Sequence, residues 1–203
     1  MSKSVPTLVL ASASPRRAEL LAGVGLAFEV IASGIHEDGP RGDAAEYARL
    51  VARDKGLDVA RRIADAKRRV LSADTIVVVD GEIFEKPADA ADAERMLARL
   101  GGREHTVMTA YCVLAPPGEV LFEEVVRTHV RFRALDARHI RGYVRTGEPM
   151  DKAGAYAAQG VGMFLIESVS GSYSNVVGLP VTEVIRTLER LGVATLFPDE
   201  GTS

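Results

Sequence analysis

The sequence contains a single cysteine, Cys112, and no tryptophan. One cysteine cannot form a disulfide within the chain, so a small fold held together by disulfides is excluded. Residues 108–114 are mostly apolar, which predicts a buried thiol in a strand. A catalytic thiol would need an activating histidine or cation, and the sequence identifies none. We therefore assign Cys112 to the core.

Long apolar runs and a basic surplus are also missing. No stretch approaches the roughly 18 apolar residues that a membrane helix requires, and Pro6 interrupts the short apolar stretch that faintly resembles a secretory signal. The formal net charge is −3, whereas proteins that bind nucleic acids or anionic membranes usually carry an excess of Lys and Arg. We expect a cytoplasmic protein that binds neither, and in which any anionic ligand is held locally.

Several common catalytic motifs are absent. The four histidines show no metal-ligand spacing, and the chain has neither a Walker A motif nor a nucleophile elbow. These absences argue against a zinc site, a P-loop nucleotidase and an α/β-hydrolase.

Strand and helix patterns alternate along the chain and predict a mixed sheet. With 203 residues, 47% of them hydrophobic, residues 1–203 fit one domain, either a single unit or two closely joined lobes, with residues 194–203 as a tail. Strands are predicted over residues 7–11, 28–31, 70–79, 82–84, 104–114, 120–132 and 163–169. Helices are predicted from residue 15, from 44 toward 67 with Gly56 as a candidate break, over 89–100, after 136 and over 180–191, and residues 170–179 are predicted as a loop.

The turn between the first strand and the first helix is the first candidate site. It reads Ser12-Ala13-Ser14-Pro15-Arg16-Arg17, with Ser14 as the predicted N-cap. A helix start exposes unpaired N–H groups and the positive end of the helix dipole, so two hydroxyls and two guanidinium groups there suit a phosphate. Taken alone, the pattern favours a capped helix with solvated arginines. The arginines oppose the dipole, however, and this mild cost points to an anionic ligand.

Asp74 interrupts the most strand-like run of the sequence. Burying an unpaired carboxylate costs several kcal/mol unless it meets a cation, a metal or hydrogen-bond donors, so a buried Asp74 would mark a site. An exposed bend over residues 72–75 is an equally good interpretation. Glu37 follows the second predicted strand, where its carboxylate could share a divalent cation with Asp74, although the spacing does not show that they meet.

Lys86, Lys152 and Gln159 lie in predicted loops. Exposed lysines are usually only solvating, and a surface glutamine is the simpler interpretation of Gln159. The Gln159 amide can also both donate and accept hydrogen bonds, as the edge of a pyrimidine ring requires.

Three blocks, in this order, resemble the Maf family of nucleoside triphosphate pyrophosphatases, and the likeness spans about residues 8–191. The blocks are LASASPRRAELL at 10–21, SADTIVVVDGEIFEKP at 72–87 and DKAGAYAAQGVGMFLIESVSGSYSNVVGLP at 151–180. The resemblance implies an α/β, Maf/ITPase-like fold, in which an elongated mixed sheet flanked by helices forms a cleft between two lobes. It also implies cleavage between the α and β phosphorus atoms, which releases a nucleoside monophosphate and pyrophosphate. The third block is similar to the branch of the family that acts on dTTP and UTP.

The resemblance also implies roles for individual residues. By position, Asp74 is the general base, and Arg17, Thr75 and Gln159 set the substrate preference. Other motif positions that line the family's cleft are Ser12, Arg16, Glu37, Lys55, Lys86 and Lys152. The roughly four negative charges of a nucleoside triphosphate would be offset by the arginines and lysines together with Mg²⁺ or Mn²⁺, held by Glu37 and Asp74. Uracil and thymine present an acceptor at O4 and a donor at N3–H, whereas cytosine reverses this pattern at N3 and N4. We therefore expect an amide at Gln159 to favour dTTP and UTP over CTP and purine nucleotides.

The sequence also leaves two alternative roles open and favours one oligomeric state. A nucleotide-binding regulatory protein that acts in septum formation through protein partners is the main alternative to an enzyme. Removal of modified pyrimidine nucleotides is an alternative physiological role for the enzyme. The resemblance and the frequency of twofold symmetric oligomers together favour a homodimer.

Overall fold

A seven-stranded mixed sheet forms the centre of the computed structural model, which describes residues 7–36, 39–40 and 42–197. The strand order is β2-β1-β3-β5-β6-β7, and β4 pairs with the end of β3. β1 pairs in parallel with β2 and β3, and the other pairs are antiparallel, so the predicted mixed α/β sheet is confirmed. The strands are β1 (Leu8–Leu10), β2 (Phe28–Val30), β3 (Arg69–Val79), β4 (Glu82–Phe84), β5 (Glu104–Ala115), β6 (Glu119–Phe132) and β7 (Ile166–Ser170).

Helices cover both faces of this sheet. They are α1 (Pro15–Gly23), α2 (Ala44–Ala60), α3 (Ala90–Leu100), α4 (Ala137–Val144), α5 (Tyr173–Val177) and α6 (Val181–Arg190), with 3₁₀ segments at Glu148–Asp151, Ala153–Ala155 and Gly160–Leu165. Asp43, Asp89 and Asp136 each accept a hydrogen bond from the N–H three residues later, as expected for aspartate at a helix N-cap.

The two faces of β3 pack against different helices. Alternate residues of a strand point to opposite faces, and Ile76 packs with α2 residues such as Val51. On the other face, the first half of β3 packs with α1 and α6, whereas the second half packs with α3 and α4. Thr75 lies between these two clusters, and a polar side chain at that point marks the place where the core divides.

Three local predictions were wrong. Residues 170–179 contain α5 rather than only a loop, because the Ser172 hydroxyl accepts the N–H of Asn175 and begins a short helix. The last strand begins at Ile166 instead of Met163, since the preceding residues form a 3₁₀ segment. α2 ends at Ala60, well short of Lys67, and it runs through Gly56 without a break.

Cys112 lies in β5 with 1% of its surface exposed, so the predicted core thiol is confirmed. Burial raises the pKa of this thiol to about 12. Over the described ranges, no helix combines the length and apolar character needed to cross a bilayer. Ala194, at the start of the predicted tail, is packed against the cluster around α6, and residues 198–203 lie outside the described residues.

Candidate active site

A gap along one edge of β3 opens a cleft in the sheet. β1 pairs with residues 69–71 of β3 and β4 pairs with residues 77–79, whereas β5 on the other side pairs with residues 70–78. Residues 72–76 therefore have a neighbouring strand on one side only. On this open side of β3, the Arg69 N–H donates to the Thr7 carbonyl, and the Leu71 carbonyl accepts from the Ala11 N–H. The N–H and C=O groups of successive residues in a strand point alternately to its two sides. Since those of Arg69 and Leu71 point to the open side, those of Ala73 and Thr75 point into the gap.

The cleft has a volume of about 560 Å³, which is within the range of small-molecule sites. All nine described residues of the predicted site line it, although they come from six separate segments of the chain. Five basic and three acidic side chains contribute to the described lining, which leaves a local excess of positive charge in a chain whose net charge is −3. The nine are Ser12, Arg16, Arg17, Lys55, Asp74, Thr75, Lys86, Lys152 and Gln159.

Arg17 joins three walls of the cleft. Its Nη2 donates to Thr75 Oγ1 at 3.0 Å, its Nη1 to Ser12 Oγ at 3.2 Å and its Nε to the Gly178 carbonyl at 2.8 Å. α1 begins at Pro15 as predicted, but the Ser14 side chain makes no cap hydrogen bond. Instead, the Ser12 hydroxyl accepts the Ser14 N–H at 3.1 Å. The guanidinium group is thus held in one orientation by groups from the turn after β1, from β3 and from the residue that follows α5.

Asp74 lies inside β3 and is 7% exposed, so the exposed bend is excluded and the buried interpretation is correct. Its Oδ1 accepts a hydrogen bond from Lys55 Nζ at 2.8 Å, and both side chains are largely buried. A buried carboxylate needs such a partner. The structure therefore pairs two residues that the sequence placed 19 positions apart.

Gly56 brings Lys55 within reach of Asp74. A Cβ atom at this position would lie 2.6 Å from Ser72 Oγ, and the Ser72 hydroxyl donates to the Ala52 carbonyl at 2.6 Å. Only a residue without a side chain allows α2 to pack so closely on β3. The glycine that we considered as a helix break is in fact a point of close packing.

Two cations on opposite sides of the cleft share one carboxylate. Asp151 Oδ2 accepts from Arg16 Nη1 at 3.1 Å, and Asp151 Oδ1 accepts from Lys152 Nζ at 2.5 Å. Partial burial would raise the pKa of Asp151, but the hydrogen bonds from Lys152 and Arg16 hold this pKa below its ordinary value. Asp151 therefore links the start of α1 to the 3₁₀ segments across the cleft.

Lys86 and Gln159 line the cleft from exposed positions. No hydrogen bond from either side chain to another residue is found in the part of the chain that the structure describes, so their donors face solvent. Neighbouring Glu85 accepts a hydrogen bond from the Tyr47 hydroxyl at 2.7 Å, which connects the end of β4 to α2.

The predicted metal ligand Glu37 lies outside the described residues. Among those that are described, no group of three or more His, Cys, Asp or Glu side chains could hold a metal ion. Mg²⁺ often takes only one or two carboxylates from a protein, together with phosphate oxygens and water. Asp74 at the open edge of β3 fits that smaller requirement.

Sequence reasoning missed two contributors to this site. The Gly178 carbonyl accepts from both Arg17 and Thr75, and a backbone acceptor leaves no mark in the side-chain pattern. Asp151 lies in the third block, where an acidic residue directly before Lys152 was the available signal.

The fold and the cleft together define an α/β protein with a preformed, positively charged site for an anionic ligand. The family model described as Maf-like protein matches residues 7–191, and the chain belongs to this family. The resemblance carried by the three sequence blocks is therefore confirmed.

Curated relatives named dTTP/UTP pyrophosphatase match most of the chain. The one from Syntrophotalea carbinolica is 48% identical over 194 residues, covering 95% of this chain and 88% of the relative. The one from Geobacter sulfurreducens is 50% identical and covers 91% and 96%, and the one from Myxococcus xanthus is 49% identical and covers 95% and 96%. A solved nucleoside-triphosphatase (dITP/XTP pyrophosphatase) from Mycobacterium abscessus aligns over 94% of this chain and 97% of its own, at 15% identity and a TM-score of 0.41.

Proposed function

We propose that this protein is a nucleoside triphosphate pyrophosphatase that hydrolyses dTTP and UTP to the nucleoside monophosphate and pyrophosphate. The observation that carries the proposal is the convergence of Asp74 with five basic side chains on one cleft. Relatives that are 48–50% identical over most of the chain carry the name dTTP/UTP pyrophosphatase, which supports the same activity. In this proposal residues 1–203 form one domain, and the two halves of the core are its lobes on either side of the cleft.

The basic residues bind and orient the polyphosphate. Arg16 and Lys152 approach from opposite sides, and Asp151 holds them in place before the substrate arrives. Arg17 is fixed by Ser12, Thr75 and Gly178, so its positive charge can act on the polyphosphate with little loss of side-chain freedom on binding. Lys86 supplies a further charge from the exposed rim. Such preorganised donors stabilise charge that develops at phosphorus.

Asp74 acts as the general base. Its carboxylate lies at the centre of the open edge of β3, and Lys55 fixes one of its oxygens. The other oxygen can orient a water molecule and accept its proton. A positioned base of this kind contributes about 10²-fold to 10⁴-fold to a rate.

A divalent cation, Mg²⁺ or Mn²⁺, completes the proposal. Asp74 would hold it together with the phosphates, and Glu37 would supply the second carboxylate. When bound, such a cation neutralises phosphate charge and polarises the phosphoryl oxygens.

Gln159 and Thr75 set the substrate preference together with Arg17. Gln159 lies on the rim of the cleft with its amide facing solvent, so it can pair with the uracil or thymine edge. We expect dTTP and UTP to be preferred over CTP and purine nucleotides. Gln159→Ala should lower this preference by a factor of about ten, because a hydrogen bond that the bound base covers is worth about 1–3 kcal/mol.

The test measures pyrophosphate release from dTTP and UTP with and without Mg²⁺. The wild type should release pyrophosphate and a nucleoside monophosphate, and a chelator should abolish the reaction. Asp74→Asn should lose about 10²-fold to 10⁴-fold in kcat. Asp80→Asn is the matched control, because Asp80 lies in the turn after β3 and pairs with Arg103 outside the cleft.

Two outcomes would contradict the proposal. A wild type that binds dTTP without turnover would favour the regulatory alternative, and near wild-type kcat in a folded Asp74→Asn variant would remove Asp74 from the mechanism.

We further propose a homodimer in the cytoplasm that binds neither nucleic acid nor membrane. Light scattering during gel filtration would test the dimer.

A further inference from the structure

A partly buried hydrogen-bond network surrounds the segment that carries Gln159. Glu148 Oε1 accepts from the Tyr143 hydroxyl and from the Gly162 N–H, both at 2.8 Å, and Oε2 accepts from the Val161 N–H at 2.9 Å. The Tyr143 hydroxyl in turn accepts from the Ala157 N–H at 3.0 Å. We refer to Tyr143 and Glu148 together as the clamp. It holds the backbone two residues before Gln159 and two and three residues after it.

The glycines of this segment leave no space between the clamp and the backbone. A Cβ atom at Gly160 would lie 2.6 Å from Glu148 Oε2, and one at Gly162 would lie 2.6 Å from the Tyr143 hydroxyl and collide with the Ala157 carbonyl. Gly160 also has φ of +70°, a conformation that other residues adopt rarely. The segment is therefore built to rest directly on these two side chains.

The charge of Glu148 suits this contact. Its burial would raise the pKa, but the N–H of Gly162, the Tyr143 hydroxyl and the N–H of Val161 together hold the pKa of Glu148 below its ordinary value. A carboxylate accepts only, and it has enough lone pairs for all three donors. A glutamine in its place would direct two N–H bonds into the same space.

The same residue contacts the polyphosphate side of the cleft. The backbone carbonyl of Glu148 accepts from Lys152 Nζ at 2.7 Å. The side chain of Glu148 thus holds the segment that carries Gln159, and its main chain holds a cation proposed for the phosphates. Gln159 itself has no partner among the described residues, so only its backbone fixes its position.

We propose that Tyr143 and Glu148 are positioning residues that set nucleobase selectivity by fixing the backbone on which Gln159 stands. Neither residue is among the described residues that line the cleft. This inference rests on the proposed function, and it assigns base selectivity to the buried Tyr143 and the partly buried Glu148 as well as to the residue at the rim.

The experiment measures selectivity, defined as kcat/KM for UTP divided by kcat/KM for CTP. Tyr143→Phe and Glu148→Gln should each lower it about tenfold, which corresponds to about 1.4 kcal/mol, and the change should appear mainly in KM. In the Gln159→Ala background, neither substitution should lower it further, because the residue that they position is already gone.

Matched controls separate positioning from general loosening. Tyr111→Phe also removes a buried hydroxyl, one that contacts Glu124 and Thr187 away from the cleft, and it should leave selectivity unchanged. Glu167→Gln makes the same chemical change as Glu148→Gln, but at an exposed ion pair with Arg131. Like Tyr111→Phe, it should leave selectivity unchanged. Hydrogen exchange at the amides of Ala157, Val161 and Gly162 should become faster only in the clamp variants.

The outcomes distinguish this inference from the proposed function. If the wild type hydrolyses neither dTTP nor UTP, the proposed function fails and this inference fails with it. If the wild type is active and selective but Tyr143→Phe keeps its selectivity, this inference alone is overturned. Additive losses in the Gln159→Ala background would also overturn it. Should Glu148→Gln fail to fold, Tyr143→Phe carries the test, because it preserves the ring and its packing.

Discussion

Replacing His105 with glutamine should make the stability of this protein less sensitive to acid. His105 lies in β5 and is 3% exposed. Its Nε2 is 2.9 Å from the Tyr156 hydroxyl, and its ring packs edge-on against Phe132, whereas its Nδ1 has no hydrogen-bond partner among the described residues. A protonated ring would therefore place a charge and an unpaired N–H in the core. Burial lowers the pKa of His105 from 6.5 to about 4.

The sign and size of the effect follow from this pKa. Between pH 6.5 and about 4 the unfolded chain binds a proton at His105 that the folded protein does not bind, so acid favours unfolding. The stabilising contribution of the neutral ring is complete above pH 6.5 and is lost as the pH falls through this window. The full effect is about 3 kcal/mol, of which about 2 kcal/mol is lost between pH 7 and pH 5.

Urea unfolding at pH 7 and at pH 5 measures this difference. The wild type should lose about 2 kcal/mol more free energy of unfolding than His105→Gln between the two pH values, since the carboxylates contribute equally in both proteins. Phe132→Leu is the matched control, because it loosens the same packing and removes no titratable group. Equal losses in the wild type and in His105→Gln would refute the reasoning.

Three further predictions concern packing and the cleft. Gly56→Ala should lower the free energy of unfolding by about 1–3 kcal/mol in thermal or urea denaturation, because the added methyl meets Ser72, although alanine favours helices. Arg17→Lys should reduce kcat/KM for UTP by about 10-fold to 100-fold, since an ammonium cannot replace the planar contacts to Ser12 and Thr75, and an unchanged kcat/KM would argue against a substrate role. Cys112 should react with a thiol reagent at pH 8 only after unfolding, because burial raises its pKa to about 12, and rapid labelling of the native protein would contradict the structure.

The cleft illustrates how one sheet can provide both rigidity and access. β3 is long and is paired with β5 over residues 70–78 on one side, whereas its other side carries two short strands that do not meet. Asp74 and Thr75 occupy the uncovered stretch and point to opposite faces of the sheet. One extended strand can therefore present a proposed base and a proposed specificity residue in a site whose backbone is held firmly.

The sequence alone indicated most of the elements and nominated nine residues that line the cleft. Periodicity, capping aspartates and glycine stops located most strands and helices, because these signals act over a few neighbouring residues. Three blocks in a fixed order identified the family. The same patterns could not decide whether Asp74 was exposed or buried, since a carboxylate in an apolar run fits both.

Only the tertiary structure decided how these residues meet. Lys55 reaches Asp74 because Gly56 lets α2 pack closely on β3, and Arg17 reaches the Gly178 carbonyl because residues 173–177 form a helix where a loop was predicted. The clamp behind Gln159 likewise depends on backbone N–H groups, which every residue except proline carries and no sequence pattern marks. Contacts of this kind join segments that are far apart in the chain, and they exist only after the core has packed.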